Sequence, residues 1–204
     1  VRMIALLCNI AVVSGSAWVF YRAGHMKFKG ILSLIFLSVP LAYFGGRMKI
    51  SEELFFLILG ITLLISGLMM LASTTNKAKE LPNYLNGIIG GGIGFLSGIV
   101  GIGGGIFLSP VLNLSRWADA KVIAATTALF ILVNSISGLI GQIVTNGFHV
   151  DIKMLLCLIL TVIIGGQIGS RYSAFRLDAL TVRKVAAILI IIVACRLLYK
   201  YLPY

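Results

Sequence analysis

The segment SGIVGIGGGIF, residues 97–107, holds five glycines in eleven residues and yet lies inside the apolar run 86–112. Glycine adopts backbone conformations that other residues avoid. Non-helical backbone at membrane depth is tolerated only where protein or water satisfies its polar groups. The segment therefore predicts a break between two half-helices, with its centre at Gly101, Gly103, Gly104 and Gly105.

The half-helix after this break would begin with unpaired backbone N–H groups and the positive end of a helix dipole. Such an end binds anions without a charged side chain. Ser97 would add a hydroxyl group, and Pro110 would help to end the half-helix. The alternative is close helix packing through small residues, which stays open for the cluster 101–105 and is favoured for Gly87, Gly90, Gly91, Gly94 and Gly98.

Composition assigns the chain to the integral membrane proteins. Of its 204 residues, 59% are hydrophobic and only 11% are charged, a balance that soluble domains do not show. Apolar stretches that approach or span a bilayer recur along the chain with short loops between them, so we expect no soluble domain. These predicted segments are 3–21, 30–46, 54–73, 86–112, 122–144, 154–169 and 185–199.

The formal charge of +11 does not indicate a nucleic-acid partner, because the basic residues are scattered singly and in pairs through short loops. Residues placed in this way set topology and contact anionic lipid head groups. The six acidic residues all fall in loops, so no carboxylate is placed to carry a proton at the midplane. Cys8, Cys157 and Cys195 show no CxxC spacing, which argues against a disulfide or a metal site, and no cofactor is expected.

Two halves of the chain match at a constant offset of 123 residues, which pairs Ser14 with Ser137 and Gly46 with Gly169. We therefore expect a first repeat at 1–73, a linker at 74–85 and a second repeat at 86–204, an organisation common among transporters. The same offset leaves the glycine-rich segment without a counterpart. About 40 residues are expected to be absent from the first repeat.

The positive-inside rule bears on whether the glycine-rich segment crosses the membrane or dips in and returns. A crossing segment divides the basic residues nine to seven, whereas a re-entrant segment divides them eleven to five and is favoured. The halves would then be inverted, and the basic side would face the cytoplasm. The eleven residues are Arg22, Lys27, Lys29, Lys77, Lys79, Arg116, Lys121, Arg171, Arg176, Arg183 and Lys184; the five are Arg2, Arg47, Lys49, Lys153 and Lys200.

A polar stripe on the segment after the glycines supplies further candidate site residues. Thr127, Asn134 and Ser137 can share a broad helix face. Polar residues in membrane spans face a bundle interior, where they contact a ligand or form interhelical hydrogen bonds. Both roles stay open, and the predicted substrate-binding set is Ser97, Gly101, Gly103, Gly104, Gly105, Thr127, Asn134 and Ser137.

The run GGGIGFLSGIVGIGGGIFLSPVL, residues 90–112, resembles the signature of the TauE/SafE family, in which a G-x-G-G-G-x-x-x-x-P element recurs in each half. The likeness extends to Ala125-Thr126, Asn146-Gly147 and the stretch 165–169, while the first half lacks the glycine element. The resemblance implies a multi-pass transporter in a prokaryotic inner membrane that exports a small anion, sulfite or an organosulfonate. The fold it implies is an all-α helix bundle of two repeats.

Two other functional classes remain as alternatives. A non-transporting membrane scaffold or subunit, and a possible homo-oligomer, fit a chain that lacks one repeat element. An intramembrane serine hydrolase would use Ser97 with His149, but Gly94 and Ser97 do not form the GxSxG elbow of such enzymes. We therefore expect no enzyme.

Overall fold

The computed structural model describes residues 2–26, 28–48, 51–72, 82–115, 117–118, 120–148, 150–176 and 179–201. Within these ranges the chain is all-helical and contains no strand, as the composition predicts. The predicted apolar run 86–112 is divided between α4 and α5. The helices are α1 (Arg2–Arg22), α2 (Phe28–Arg47), α3 (Glu52–Ala72), α4 (Asn83–Val100), α5 (Gly105–Leu114), α6 (Ala120–Asn146), α7 (Ile152–Arg176) and α8 (Ala179–Tyr201).

Four of the described helices are long and apolar enough to cross a bilayer, as judged by length and composition. They contain the windows Arg2–Arg22, Gly30–Arg47, Glu53–Leu71 and Lys121–Asn146. Two shorter apolar stretches, Tyr84–Val100 and Ile152–Gly165, accompany them. This pattern is that of a multi-pass membrane protein. Residues 74–81 of the predicted linker 74–85 lie outside the described residues.

Helices α2 and α4 pack against each other through glycine. A Cβ atom placed on Gly90 would overlap the carbonyl oxygen of Leu34, and one placed on Gly98 would overlap that of Ala42. Because both residue numbers rise together along the contact, the two helices run parallel. The small-residue packing predicted for this segment is confirmed at Gly90, Gly94 and Gly98. Such packing brings two backbones close together where no water is expelled to drive association.

Helix α6 also runs parallel to α2. The hydroxyl group of Ser38 donates a hydrogen bond of 2.5 Å to Oδ1 of Asn134, and that of Ser137 donates one of 2.6 Å to the carbonyl oxygen of Val39. Helix α1 runs in the opposite direction. Its early turns lie beside the later turns of α6, and its last turn lies with Leu129 in the first half of α6.

Helix α5 returns toward the end of the bundle at which α4 begins. The indole ring of Trp117, just after α5, packs against Gly30 at the start of α2. A Cβ atom on Gly87, in the first turns of α4, would lie 3.7 Å from the carbonyl oxygen of Ser33 in the same part of α2. Both ends of the glycine-rich segment therefore lie at the N-terminal end of α2, with the break between them farther along.

Pro110 does not end α5, which continues to Leu114, so the expected stop at this residue is wrong. Proline removes one backbone donor and fixes φ near the helical value. At the sixth position of a ten-residue helix, it deletes only the bond to the carbonyl of Ile106. The remaining turn is held by packing, because Leu108 and Leu112 are fully buried in a cluster with Leu34 of α2.

Helices α3 and α8 form an antiparallel pair, because Gly60 lies against Leu198 and Gly67 against Ile191. The pair contacts the rest of the bundle at the start of α3, where Phe55 is buried with Val100.

The parallel contact of α2 and α4 predicts a difference between two substitutions in one helix. Gly90→Ala adds a methyl group against the backbone of α2, and overpacking of this kind costs about 1–3 kcal/mol. Gly92→Ala is the matched control, because a Cβ atom there meets nothing within 4 Å. We expect Gly90→Ala alone to lower the unfolding midpoint of the detergent-solubilised protein, measured by fluorescence-detected size-exclusion chromatography. Equal midpoints for the two variants would contradict this packing.

Candidate functional site

The candidate site is the glycine break between α4 and α5. Helix α4 is followed by its C-cap residue Gly101, whose φ is 74° and whose N–H donates to the carbonyl oxygen of Ser97 at 2.7 Å. Gly103 has a φ of 74°, and Gly104, the N-cap residue of α5, has a φ of 79°. This left-handed conformation costs other residues about 1–2 kcal/mol. The predicted break is therefore confirmed, and its sharp turn needs glycine.

The N-terminus of α5 leaves backbone donors free at this turn. No side chain caps the helix, and the N–H groups of Phe107 and Leu108 both bond to the carbonyl oxygen of Gly104. Across the described residues, no acceptor is found for the N–H groups of Gly105 and Ile106. The first turn of a helix also carries a partial positive charge. The free N–H groups of Gly105 and Ile106 and the positive end of the helix dipole therefore lie together at the N-terminus of α5.

The backbone acceptors near the break are covered by side chains of α1. Nδ2 of Asn9 donates to the carbonyl oxygen of Ile102 at 2.9 Å, and Nη1 of Arg2 donates to that of Ile99 at 3.1 Å. These bonds offset the partial negative charge at the C-terminus of α4, which would otherwise repel an anion. The carbonyl groups of Ile99 and Ile102 are therefore occupied by α1, whereas the first N–H groups of α5 are not.

Two buried hydroxyl groups adjoin the break without a hydrogen-bond partner among the described residues. Ser97 is 1% exposed and Ser135 is 0% exposed, and neither Oγ atom is bonded. The Oγ atom of Ser135 lies 2.5 Å from the position of a Cβ on Gly103, and the Cβ of Ser97 lies 3.1 Å from that on Gly104. A buried unbonded polar group costs about 1–3 kcal/mol. A ligand that accepted these bonds would recover that cost.

Thr127 lies beside the first residue of α5. Its Cγ2 atom is 3.2 Å from the position of a Cβ on Gly105, and its buried hydroxyl group has no described partner. The structure therefore brings Thr127 together with Ser97 and the predicted glycines.

Asn134 and Ser137 lie about two and three turns farther along α6 than Thr127, where α6 contacts α2. Asn134 accepts the bond from Ser38 and donates through Nδ2 to the carbonyl oxygen of Phe130 at 2.9 Å. Ser137 donates to the backbone of α2. Both side chains thus have partners in the bundle and join α6 to α2. Their predicted contact with substrate stays a prediction.

Asn9 and Ser135 lie at the break although the sequence analysis does not select them. Ser135 follows Thr127 by eight residues, a spacing that keeps the two on nearby angles of one helix. This spacing could have identified it. Asn9 is opposite Leu132 at the 123-residue offset, so the repeat gives no signal for it. Only the fold places α1 beside the break.

An apolar groove of about 270 Å³ lies apart from the break, between the last turns of α1 and the first half of α6. Its lining includes Trp18, Tyr21 and Leu132, and its serine, Ser14, already donates to the carbonyl oxygen of Ala11 at 3.1 Å. The groove offers an anion no free donor from that side chain. In the described part of the chain, no group of three or more His, Cys, Asp or Glu residues could hold a metal ion.

Comparison with known proteins links the whole chain to membrane transport. The family model described as "Sulfite exporter TauE/SafE" matches residues 1–197. A probable membrane transporter protein of Sinorhizobium fredii is 29% identical over 98% of this chain and 83% of its own length. Probable membrane transporter proteins of Bacillus subtilis and Methanocaldococcus jannaschii are each 29% identical, over 53% and 71% of this chain and 38% and 59% of their own lengths. No solved structure matches the chain.

The geometry of the break predicts that Gly103→Ala is more harmful than Gly24→Ala. Both glycines have a positive φ, 74° and 72°, so the backbone strain is the same. A Cβ on Gly103 would meet Ser135 and Ile131, whereas one on Gly24 meets nothing within 4 Å. We expect Gly103→Ala to lower the unfolding midpoint further, by the overpacking cost of about 1–3 kcal/mol. Equal losses would show that the break is not packed against α6.

Proposed function

Because the chain belongs to the TauE/SafE family, we propose that it transports a small oxyanion, sulfite or an organosulfonate, across the membrane in which it is embedded. Membrane transport itself follows from the family and from the names of the relatives. The anionic substrate is supported by the chemistry of the break.

The observation that carries this proposal is the uncapped N-terminus of α5 beside two buried, unbonded hydroxyl groups, those of Ser97 and Ser135. Backbone N–H groups at a helix N-terminus bind anions through direct hydrogen bonds and the helix dipole. A sulfonate or sulfite group has several acceptor oxygens, so it can accept from N–H groups and hydroxyl groups together. The break matches this kind of ligand.

The N-terminal end of α5 lies near mid-depth of the bundle, whereas Gly101 lies nearer the end at which α2 stops. Gly104 packs against Ile93 and Ser97 of α4, and this part of α4 contacts α2 around Ser38, close to the middle of that helix. Substrate sites of transporters with broken helices occupy such a position. An anion bound there by neutral donors would be held loosely enough to leave again, as transport requires.

We also propose that the glycine-rich segment is re-entrant and that the two halves are inverted repeats. Both ends of the segment lie at the N-terminal end of α2, which supports a return to the side of entry. At the 123-residue offset α1, α2 and α3 fall on α6, α7 and α8. The members of the α1–α6 and α3–α8 pairs run in opposite directions, as inversion requires.

The orientation that we propose places the N-terminal end of α2 in the cytoplasm of a prokaryotic cell. Arg22 and Lys121 lie at this end, as do the C-terminus of α7 and the N-terminus of α8 with their basic residues. An excess of basic residues marks the cytoplasmic side. Several other residues of the predicted basic set, including Lys27 and Arg116, lie outside the described residues.

The surfaces of α7 and α8 fit contact with lipid. Large apolar side chains such as Leu160, Ile164, Leu189 and Ile192 are more than half exposed. The lipid chains of a bilayer can contact such faces without any further protein. In a homo-oligomer, a second copy of the chain would contact them instead.

Sulfite flux into proteoliposomes tests the proposed site. Ser135→Ala removes a donor to a charged ligand, a hydrogen bond worth about 1.5–3 kcal/mol, so the half-saturating sulfite concentration should rise roughly tenfold or more. The unfolding midpoint should not fall, because the hydroxyl group has no described protein partner. Ser14→Ala, whose hydroxyl is exposed and bonded within α1, is the control and should leave flux unchanged. Normal sulfite affinity in Ser135→Ala would refute a site at the break.

A further inference from the structure

We propose that Arg2 is the cationic group that the transported anion meets between the glycine break and the far end of the bundle, where α2 ends. The guanidinium group of Arg2 releases its hydrogen bonds to two backbone carbonyl oxygens and bonds to the anion while the anion passes. The inference rests on the proposed function and adds to it a route and a specificity-determining residue.

Arg2, at the start of α1, lies beside the first residue of the break, Gly101. Its Cβ atom is 3.0 Å from the position of a Cβ on Gly101. Its Nη1 atom donates to the carbonyl oxygen of Ile99 in α4 at 3.1 Å and to that of Met48 after α2 at 3.5 Å. One side chain therefore connects the ends of three helices beside the break.

The guanidinium of Arg2 is not saturated by these bonds. It carries five N–H donors, and both described hydrogen bonds come from Nη1, one of them long. Its carbon Cζ lies 5.5 Å from the centre of the Phe55 ring, which supports the plane of the group without using a donor. Charge-assisted bonds to an oxyanion are stronger than bonds to neutral carbonyl groups. A passing anion can therefore displace the carbonyl oxygens.

A line of polar groups leads from the break toward Arg2. Seven residues after Ser135 on α6 comes Gln142, about 10 Å farther along the helix. It is 3% exposed, and its Nε2 atom has no described partner. Between them Gly138 faces Leu6 of α1, one turn after Arg2. The unbonded side chains of Ser135 and Gln142 thus share one side of α6, at successive levels from the break toward the end where the arginine lies.

A purely structural role for Arg2 predicts different behaviour. If the side chain only joined α1 to the carbonyl groups of Ile99 and Met48, its loss would lower stability and maximal flux together. The concentration dependence of flux would stay the same. A role as counter-charge instead raises the half-saturating anion concentration, and a lysine at this position would restore part of the affinity because it restores the charge.

The test uses Arg2→Gln and Arg2→Lys in proteoliposomes, with sulfite as the substrate. Arg47→Gln is the matched control, because Arg47 lies at the same end of the bundle with its guanidinium over Tyr43 at 5.6 Å. We expect the half-saturating sulfite concentration to rise about tenfold or more in Arg2→Gln, to rise less in Arg2→Lys, and to stay within twofold of the parent in Arg47→Gln. The shift of the unfolding midpoint with added sulfite, measured on the same proteins, reports binding without transport.

The outcomes separate this inference from the function on which it rests. One outcome is that Arg2→Gln depends on sulfite concentration in the same way as the parent protein, in flux or in the shift of the unfolding midpoint. That result would overturn the role of Arg2 and leave the proposed function intact. The same holds if Arg2→Gln and Arg47→Gln lose affinity equally. No effect of sulfite on either flux or midpoint of the parent chain would overturn the proposed function, and this inference with it.

Discussion

The structure depends on how an interrupted helix satisfies its backbone groups inside an apolar bundle. Where α4 stops at Val100 and α5 begins at Gly105, several carbonyl and N–H groups lose their helical partners. The side chains of Asn9 and Arg2 in α1 bond to two of these carbonyl oxygens, those of Ile102 and Ile99. The N–H side remains open beside two unbonded hydroxyl groups, and this asymmetry is the basis of the anion binding that we propose for an uncharged break.

The break keeps its position because its neighbours approach very closely. Glycines along α4 let its backbone lie against that of α2, and Gly46 and Gly141 extend the contact to α6. Three helices are thus held as one parallel layer, joined further by the bond between Ser38 and Asn134. Helix α5 returns along this layer and places its first turn against α6. Rigid surroundings of this kind allow a few backbone donors to act as a binding site.

Local chemistry made much of the fold and part of the site predictable. Consecutive glycines at 103–105 have few roles other than a turn, so the break could be located from the sequence. The distribution of basic residues favoured a re-entrant segment, which stays a proposal, and the contact of Trp117 with Gly30 supports it. Small residues at spacings of three and four indicated a close helix contact, which the structure shows between α4 and α2.

What the sequence could not supply is the neighbour that each turn of a helix meets. Thr127 lies beside α5, whereas Asn134 and Ser137, farther along the same broad polar face of α6, lie beside α2. Asn9 joins the site because α1 runs antiparallel to α6, a relation that spacing within one helix cannot reveal. Pro110 continues its helix because tertiary packing outweighs one lost hydrogen bond.

Labelling from each side of the membrane tests the proposal that the glycine-rich segment enters and leaves on one side, with the anion site at its tip. Single cysteines can be placed at its ends by Pro82→Cys and Ser115→Cys, with Met48→Cys as a reference after α2, once the three native cysteines are replaced by serine. A membrane-impermeant maleimide added to sealed vesicles of known orientation reports the side. We expect labelling of the first two from one side and of Met48→Cys from the other. Labelling of Pro82→Cys and Ser115→Cys from opposite sides would contradict it.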